Sequence, residues 1–364
     1  MSLLTRLLTD KSALNHTRIT HEPLAPLQAG EVLLKIDRVA VTTNNITYAA
    51  FGDAMQYWDF FPALEEGWGH MPVWGFADVV ESSVEGVAVG ERFYGYWPIA
   101  SHLRVQPVRV TQRGFYDGMA HRQALVSAYN QYTRVSADPA YSARDEDYQM
   151  LLRPLFITSF MLADFLQDNA FFGAVRLVFS SASSKTAYGT AFCLAEYPQF
   201  ERVALTSERN RLFVEGLGCY QRTVGYDALE TLDASVPTVY VDFSGDEALR
   251  ARVHHHLGNQ LRYDCYAGSA QNTQFLRDAA LPGPAPQAYF APVQIRKRNA
   301  DWGPEAVNQK FNAAQGAFIA RVRDARQPWM QVQPHAGFAG AQALIGDLSA
   351  GRVDPRLGHV VLLG

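Results

Sequence analysis

The stretch that most constrains the fold of this chain is 176–216, which predicts a strand, a helix and a second strand in succession. Residues 176–180 form a short apolar run typical of a buried parallel strand. Residues 186–196 follow with apolar side chains at helical spacing, and 202–206 form another short apolar run. A strand, a crossover helix and a parallel strand make a right-handed βαβ unit in nearly all proteins. The stretch therefore predicts a parallel sheet covered by helices, which is an α/β fold.

The turn between the first strand and the helix, 180–187, has the sequence SSASSKTA. Dinucleotide-binding proteins carry glycines here, and the backbone N–H groups at the start of the helix bind the pyrophosphate. Serine and alanine still permit close approach, and the turn adds hydroxyl donors and a lysine. The predicted phosphate-binding residues are Ser181, Ser183, Ser184, Lys185 and Thr186. An ordinary polar turn is the alternative; a nucleoside-triphosphate loop is disfavoured because both of its glycines are missing.

The tip of the second strand indicates which dinucleotide would bind. Dehydrogenases that prefer NAD place an acidic residue here to hold the ribose 2′-hydroxyl. This chain instead has Ser207 and Arg209, followed by Arg211, and a hydroxyl with a guanidinium suits the additional phosphate of NADP(H). Glu208 argues against this preference. NADP(H) is the predicted cofactor, and the alternative is that these arginines belong to a solvated helix start.

Composition restricts the remaining classes of function. The 364 residues suffice for two domains, and 48% apolar with 19% charged residues is typical of a globular protein. A net charge of −4 argues against a broad nucleic-acid surface. The three widely spaced cysteines form no disulfide framework, and the first residues contain no apolar run long enough for a signal peptide or membrane span. We expect a cytoplasmic protein that acts on a small-molecule substrate and binds neither nucleic acid nor membrane.

The chain as a whole divides into three parts. Residues 1–148 contain short strands with frequent turns, which predicts a small barrel or sandwich; within them 101–110 is predicted as a strand and 123–132 as helical. Residues 149–292 alternate helices and strands, as a Rossmann-type parallel sheet requires. Residues 293–364 are predicted to complete the sheet and return to the first domain.

The order of these parts resembles the medium-chain dehydrogenase/reductase superfamily, in which a GroES-like β-barrel domain precedes a doubly wound Rossmann domain. The resemblance rests on 30–36 (GEVLLKI), 75–82 (GFADVVES), 89–95 (VGERFYG) and the βαβ unit. Within the superfamily, 42–53 (TTNNITYAAFGD) and 181–187 (SASSKTA) resemble a family known only as DUF2855. The resemblance covers nearly the whole chain and implies both domains of this α/β architecture.

Departures from the zinc-binding alcohol dehydrogenases of the superfamily predict that no metal is bound. Those enzymes need cysteine and His-Glu ligands in the first domain, but no cysteine precedes Cys193 and His70 lacks a following glutamate. The histidines at 254–256 are expected to form a solvated helix face, because successive helical residues diverge by about 100°. The chain then resembles the zinc-free quinone and enoyl reductases, in which a nicotinamide delivers hydride. Relatives commonly dimerise, so a homodimer is also expected.

The resemblance also implies roles for particular residues. Asn44 and Tyr48 fall where related reductases place an asparagine and a tyrosine beside the nicotinamide, so Tyr48 would donate a hydrogen bond or proton to a developing enolate. Tyr57 is the second candidate for this role. The implied cofactor contacts elsewhere are Thr158 and Ser244, and Arg298 in the basic cluster is predicted to reach a phosphate or an acidic substrate from a late loop. The alternatives are packing tyrosines and, for the basic cluster at 295–298, a solvated loop.

Taken together, the sequence predicts a zinc-independent, NADP(H)-dependent reductase of a small carbonyl, quinone or activated alkene. The alternative is a non-catalytic module that binds NADP(H) as a sensor or interaction partner, because the loss of glycine removes positive-φ freedom from the phosphate turn. A third hypothesis is a structural relative that binds neither cofactor nor substrate. Both dinucleotide-binding hypotheses need Ser207 and Arg209, whereas only the enzyme needs Tyr48.

Overall fold

The computed structural model describes residues 3–268 and 281–364. Its strands are β1 (Leu3–Asp10), β2 (Ala13–Pro23), β3 (Val32–Ala40), β4 (Trp68–Gly69), β5 (Pro72–Ser82), β6 (Arg92–Pro98), β7 (His102–Val105), β8 (Pro107–Thr111), β9 (Gly114–Asp117), β10 (Gln131–Arg134), β11 (Arg176–Phe179), β12 (Glu201–Thr206), β13 (Arg222–Gly225), β14 (Thr238–Asp242), β15 (Leu261–Tyr266), β16 (Gln287–Ala288), β17 (Gln331–Ala336) and β18 (Leu357–Leu362). Its α-helices are α1 (Thr43–Ala50), α2 (Glu146–Asp168), α3 (Lys185–Cys193), α4 (Arg211–Leu217), α5 (Glu247–Leu257), α6 (Ala291–Trp302), α7 (Pro304–Val322) and α8 (Gly337–Ser349).

The chain folds into two compact units. The first consists of Met1–Leu151 with Met330–Gly364, and the second of Leu152–Trp329. The predicted carboxyl-terminal segment 293–364 is therefore divided: its first part belongs to the second unit, and only the residues after Trp329 return to the first.

The first unit is built around a large, mostly antiparallel sheet. Its strands lie in the order β17-β18-β3-β5-β6-β10-β9-β8, with β7 paired to β3, and a smaller sheet has the order β2-β1-β4. The central strand β3 pairs with β5 and β18. Its buried Leu34, Ile36 and Val39 belong to a core cluster that also contains Leu344 and Ile345 from α8. Apolar burial on β3 thus anchors the end of the chain to the unit in which the chain begins.

Two predicted elements of the first unit are wrong. Residues 101–110 form two strands, β7 and β8, rather than one, and 123–132 contain a single 3-10 turn followed by β10 instead of an α-helix. The buried guanidinium of Arg122 donates to the side chain of Asn130 and to the carbonyl oxygen of Tyr129, both at 2.8 Å. These bonds fix the segment outside helical geometry, which local periodicity cannot reveal.

The second unit contains a parallel sheet. Within the described part of the chain its strands lie in the order β13-β12-β11-β14-β15-β16, which is the 3-2-1-4-5-6 order of Rossmann folds. β11 and β12 pair in parallel, with Arg176 opposite Glu201, and α3 connects them. Every residue of β11 is buried. The βαβ unit predicted from the sequence is therefore confirmed.

Helix α2 packs on this sheet, and this packing accounts for the apolar composition of the helix. The segment Ala143–Asp168 is long and apolar enough to cross a membrane by length and composition, since it contains an 18-residue window with a mean hydropathy of 1.3, yet 56% of that window is buried. Leu162 and Leu166 pack in one cluster with Leu177 and Phe179 of β11. The hydropathy of α2 is that of a core helix.

A buried histidine in the first unit is held in its neutral form. His70 is 4% exposed, and its Nδ1 lies 2.8 Å from the carbonyl oxygen of Phe61, so Nδ1 carries the proton and donates. Burial lowers the pKa of His70 from 6.5 to about 4; the bond to Phe61 opposes this shift and the charge of Arg6 adds to it. The folded chain therefore resists protonation of His70 as the pH falls.

This pKa shift predicts a loss of stability in mild acid. Above pH 6.5 the contribution of neutral His70 is fully present, and it is lost as the pH falls toward the folded-state pKa, because the unfolded chain binds the proton first. Between pH 7 and pH 5 we expect wild type to lose about 2 kcal/mol more unfolding free energy than His70→Asn. Urea unfolding at the two pH values measures the difference. The exposed His21, changed to Asn, is the control, and an unchanged pH dependence in His70→Asn would contradict the prediction.

Candidate functional site

A candidate cofactor site lies at the carboxyl edge of the parallel sheet, where the strand order reverses between β11 and β14. Rossmann-type folds bind ligands in the crevice at this position. Ser180, directly after β11, donates from its hydroxyl to Asp242 of β14 at 2.7 Å. The same hydroxyl oxygen accepts the backbone N–H groups of Phe243 at 2.9 Å and Ser244 at 3.1 Å. These bonds tie the two strand ends together at the base of the crevice.

The turn after β11 keeps a left-handed backbone although it contains no glycine. Ser181 has a φ of +48°, a conformation that costs a non-glycine residue about 1–2 kcal/mol. Its N–H donates to the hydroxyl of Tyr226 at 3.0 Å, and its carbonyl oxygen accepts the N–H of Ser184 at 2.8 Å. These contacts hold the strained residue in place. The expectation that missing glycine removes the positive-φ conformation is therefore wrong.

Replacing Ser181 with glycine is expected to stabilise the second unit by about 0.5–1 kcal/mol. The relief of left-handed strain exceeds the extra backbone entropy that glycine loses on folding. Urea unfolding followed by circular dichroism measures this gain. Ser184→Gly is the matched control, since Ser184 has an ordinary φ of −73° and caps α3, and this change should be slightly destabilising. A destabilised Ser181→Gly would show that the serine hydroxyl outweighs the strain.

The other residues predicted to bind phosphate surround the start of α3. Ser184 is the N-cap, and its hydroxyl oxygen accepts the N–H of the residue three positions on at 3.3 Å. Ser183 accepts a hydrogen bond from the side chain of Asn210 at 3.1 Å, which joins the turn to the end of β12. Lys185 and Thr186 are the first residues of α3. The structure brings all five predicted residues together and adds Asn210 and Tyr226, which the sequence did not single out.

The end of β12 carries an arginine side chain that is available to bind an anion. Arg209 is exposed and makes no ion pair within the described part of the chain. Glu208, the residue that argued against NADP(H), instead pairs with Arg211 at 3.6 Å, and Arg211 pairs with Glu215 at 3.0 Å. Ser207 is half-buried and its hydroxyl makes no capping hydrogen bond. The opposing carboxylate is thus partly neutralised, whereas the guanidinium of Arg209 is available to an anion.

The predicted Ser244 has a structural role that the sequence did not suggest. Its hydroxyl donates to Asp242 at 2.8 Å. Asp242 also accepts the N–H groups of Ser244 and Gly245, at 2.9 and 3.1 Å, and the guanidinium of Arg250 at 2.6 Å. Ser244 therefore shapes the turn after β14 through its side chain. The available signal was a carboxylate ending a buried strand, followed directly by Ser-Gly.

The two remaining predicted cofactor residues lie on helices. Thr158 is half-buried on α2. Arg298 lies on α6, so its assignment to a loop is wrong, and its guanidinium pairs with Asp164 at 2.7 Å, Asp168 at 3.0 Å and Asp301 at 2.9 Å. Because three carboxylates already pair with Arg298, its guanidinium is not available to a phosphate.

In the first unit, α1 places two predicted catalytic residues on one face. Asn44 and Tyr48 are one helical turn apart, and the side chain of Asn44 acts to lower the pKa of the Tyr48 hydroxyl, against the larger effect of burial. Asn45 instead stabilises the start of the helix, accepting the N–H of Thr42 at 2.7 Å and donating to the carbonyl oxygen of Pro72 at 2.9 Å. The structure therefore distinguishes the asparagine that lies one turn before the tyrosine from the one that caps the helix.

Tyr48 belongs to a buried tyrosine cluster, which consists of Tyr48, Tyr57, Tyr96 and Tyr129. The ring centroid of Tyr48 lies 4.6 Å from that of Tyr57, 5.8 Å from Tyr96 and 6.3 Å from Tyr129. The hydroxyl oxygens of Tyr57 and Tyr129 are 3.4 Å apart. The structure brings the two predicted tyrosines together and adds two others that no sequence signal separated from the remaining aromatic residues.

Burial keeps these phenols protonated. It raises the pKa of the Tyr48 hydroxyl to about 12, an effect that Tyr57 strengthens and the side chains of Trp74, Asn44 and Tyr129 oppose. Burial also raises the pKa of Tyr57. At neutral pH Tyr48 is therefore a hydrogen-bond donor in an apolar environment, which is the chemistry that stabilises a developing oxyanion.

Metal-ligating residues do not converge in the described part of the chain, where no group of three or more His, Cys, Asp or Glu side chains is arranged to hold an ion. The histidine run differs from expectation at one position. His254 is fully buried, with Nε2 2.7 Å from Asp264 and Nδ1 2.8 Å from the carbonyl oxygen of Pro282. The prediction of a solvated face is thus wrong for His254, because α5 packs this side chain against β15. His255 is exposed.

Three solved structures share this fold along nearly the whole chain. CurA from Vibrio vulnificus, crystallised with NADPH, is 13% identical with a TM-score of 0.64 over 99% of this chain and 99% of that chain. The yhdH oxidoreductase from Salmonella enterica, in complex with NADP, is 14% identical with a TM-score of 0.51 over 99% and 100%. A cobalt- and zinc-bound thermostable alcohol dehydrogenase from Pyrobaculum aerophilum is 14% identical with a TM-score of 0.53 over 99% and 100%. At these identities the likeness shows the fold, and it confirms the predicted GroES-like and Rossmann architecture.

Sequence comparison gives a second finding. The family model described as "Protein of unknown function (DUF2855)" matches residues 39–354, which is most of the chain. No curated protein sequence matches this chain.

Proposed function

The chain belongs to the DUF2855 family, whose description assigns no function, and we propose that it is a zinc-independent oxidoreductase that uses NADP(H) to reduce a small carbonyl, quinone or activated alkene. The observation that carries the proposal is the exposed guanidinium of Arg209, which forms no ion pair with any described residue and lies at the end of β12, beside the turn that precedes α3. Two proteins of the same fold, CurA and yhdH, were crystallised with NADPH and NADP.

The second unit supplies binding groups suited to a dinucleotide phosphate. The N–H groups at the start of an α-helix carry a partial positive charge that attracts a pyrophosphate, and α3 begins directly after this turn. Ser207 and Arg209 suit the 2′-phosphate, since a hydroxyl and a guanidinium both donate to phosphate oxygens. The bond between Asn210 and Ser183 links these two groups of residues and would keep their spacing constant.

The first unit supplies a proton donor for the reaction. Bound NADPH would supply the hydride. Tyr48, kept protonated by burial, would donate a hydrogen bond to the oxygen on which negative charge develops. The surrounding aromatic rings favour a planar, apolar substrate such as a quinone or an enal.

The donor set of the first unit supports chemistry without zinc. Catalytic zinc sites use histidine, cysteine or carboxylate ligands with an open position. The cysteines of this chain, Cys193, Cys219 and Cys265, all lie in the second unit, and burial raises the pKa of the Cys193 and Cys219 thiols to about 12. The zinc-bound relative from Pyrobaculum aerophilum shares the fold, so this proposal rests on the residues and not on the architecture.

A second candidate function is a non-catalytic NADP(H)-binding module. The packing of Tyr48 supports this alternative, because the ring is only 8% exposed and lies in a cluster with Tyr57 and other aromatic side chains. Such a module would bind the dinucleotide through Arg209 and would leave Tyr48 as a core residue.

Titration of the purified protein with NADPH and, separately, NADH tests the proposal. We expect quenching of tryptophan fluorescence to saturate with NADPH at a concentration at least about tenfold lower than with NADH, since only NADPH offers a phosphate to Arg209. Oxidation of NADPH is then assayed with quinones, enals and aldehydes. Failure of both dinucleotides to bind would remove the proposal and its non-catalytic alternative together.

A further inference from the structure

We propose that the first unit contains a separate small-molecule site, a cavity of about 280 Å³ that takes a planar, apolar ligand with one hydrogen-bond donor, such as a phenol. The site goes beyond the proposed reductase function and does not depend on it. Its lining residues all belong to the first unit.

The observation that points to a ligand is the unsatisfied nitrogen of His70. This side chain lines the cavity and is 4% exposed. Nδ1 is committed to the carbonyl oxygen of Phe61 at 2.8 Å, whereas Nε2 is buried without any hydrogen-bond partner among the described residues. Buried polar atoms are nearly always satisfied in folded proteins. A ligand that donates to Nε2 would satisfy this atom.

The protonation state of His70 determines the kind of group that can bind. Since Nδ1 carries the proton and burial keeps the pKa of His70 near 4, Nε2 is an acceptor at neutral pH. A hydroxyl or N–H can donate to this acceptor. A carbonyl, an ether or a carboxylate has no proton to give and would face a lone pair.

The body of the cavity favours an apolar, planar molecule. Its rim is open at Pro23 and Ala25, which are exposed. The apolar lining residues include Leu24, Phe60, Phe61, Pro62, Pro98 and Leu103. A volume near 280 Å³ is larger than that of cavities known to hold benzene, roughly 150 Å³, so a fused bicyclic ring would fit.

The charged groups that line the cavity do not call for an ionic ligand. Each arginine of the lining is already paired with a carboxylate, so the cavity offers little net charge to an ion. The pairs are Arg6–Glu22 at 2.8 Å, Arg104–Glu31 at 3.3 Å and Arg122–Asp117 at 2.8 Å.

The cavity is distinct from the tyrosine cluster. No member of that cluster lines it. The two features share a wall of two rings, both of which line the cavity: Phe60 packs on Tyr96 at 5.5 Å and on Tyr129 at 5.4 Å, and Phe61 packs on Tyr96 at 5.9 Å. A ligand in the cavity would therefore contact residues that the proposed catalytic chemistry does not use.

Binding of 2-naphthol, compared with its methyl ether 2-methoxynaphthalene, tests the site. We expect calorimetric titration of the full chain to show saturable 2-naphthol binding and at least about tenfold weaker binding of the ether, which cannot donate to Nε2. His70→Phe should reduce 2-naphthol affinity by about the same factor and abolish the preference over the ether. Ala25→Trp, at an exposed rim position, should block both ligands without depending on whether His70→Phe folds.

Tyr48→Phe separates this site from the proposed reductase function. It should leave 2-naphthol affinity unchanged, since Tyr48 does not line the cavity. Absence of 2-naphthol binding, equal affinity for the ether, or unchanged binding in Ala25→Trp would each overturn the proposal. So would a loss of 2-naphthol affinity in Tyr48→Phe, which would place the ligand in the tyrosine cluster. None of these outcomes bears on NADPH binding, so the two proposals fail separately.

Discussion

Replacing Arg209 with alanine is expected to weaken NADPH binding by roughly 10- to 100-fold while leaving NADH binding nearly unchanged. A hydrogen bond to a charged group contributes about 1.5–3 kcal/mol, and only NADPH carries the 2′-phosphate. Arg209 is the strongest candidate for this contact because its neighbour Arg211 is paired with Glu208 and Glu215. Fluorescence titration of the variant with both dinucleotides measures the change in preference.

Arg296→Ala provides the matched control for charge removal. Arg296 is also exposed, but it lies on α6 and not at the end of β12, so its loss should change neither affinity by more than about twofold. Equal weakening of NADPH and NADH by Arg209→Ala would show that the guanidinium does not discriminate between the two. Equal effects of the two arginine variants would reduce the role of Arg209 to nonspecific charge.

Replacing Tyr48 with phenylalanine is expected to lower kcat by about 10- to 100-fold with little change in NADPH affinity. The variant keeps the ring and its packing on Tyr57 but removes the hydroxyl that would donate to the developing oxyanion. The lower limit reflects the ability of water to replace a lost proton donor in part. Steady-state oxidation of NADPH with the best of the quinones, enals and aldehydes measures kcat, and titration measures cofactor affinity.

Tyr116→Phe is the matched control for the loss of a phenol hydroxyl. Tyr116 lies on β9, is half-buried, and is not part of the tyrosine cluster, so its turnover should match wild type. If Tyr48→Phe retains full turnover, Tyr48 is a packing residue. If neither variant nor wild type turns over any substrate while NADPH still binds, the non-catalytic module becomes the better account.

The elements that the sequence predicted well are those governed by local chemistry. Helix α7 begins at Pro304, and proline suits the first position of a helix because its fixed φ is helical and its missing N–H would have no partner there. The βαβ unit followed from short apolar runs separated by small polar residues, and β11 is buried throughout, as such a run requires. Helix α1 places Asn44 and Tyr48 one turn apart, and their contact with the cofactor stays a prediction.

The predictions that failed concern side chains whose interaction partners cannot be read from the local sequence. Arg298 and Arg209 are the same residue type, but Arg298 pairs with Asp164, 134 positions away, whereas Arg209 pairs with no described residue. His254 and His255 are adjacent, but only His254 points into the fold, where its Nε2 lies 2.7 Å from Asp264. The segment 123–132 is not an α-helix because the side chain of Arg122 hydrogen-bonds Asn130 and the carbonyl oxygen of Tyr129.

The sequence by itself determined the α/β class, the order of the two architectures and the turn where a phosphate would bind, because apolar periodicity and turn chemistry act within a few residues. Only the tertiary structure decided which arginine is available, that Ser181 has a strained φ of +48°, and that His70, whose Nε2 has no hydrogen-bond partner among the described residues, lines a cavity. Burial and long-range pairing set these properties, since the environment of a side chain comes from segments that are far apart along the chain.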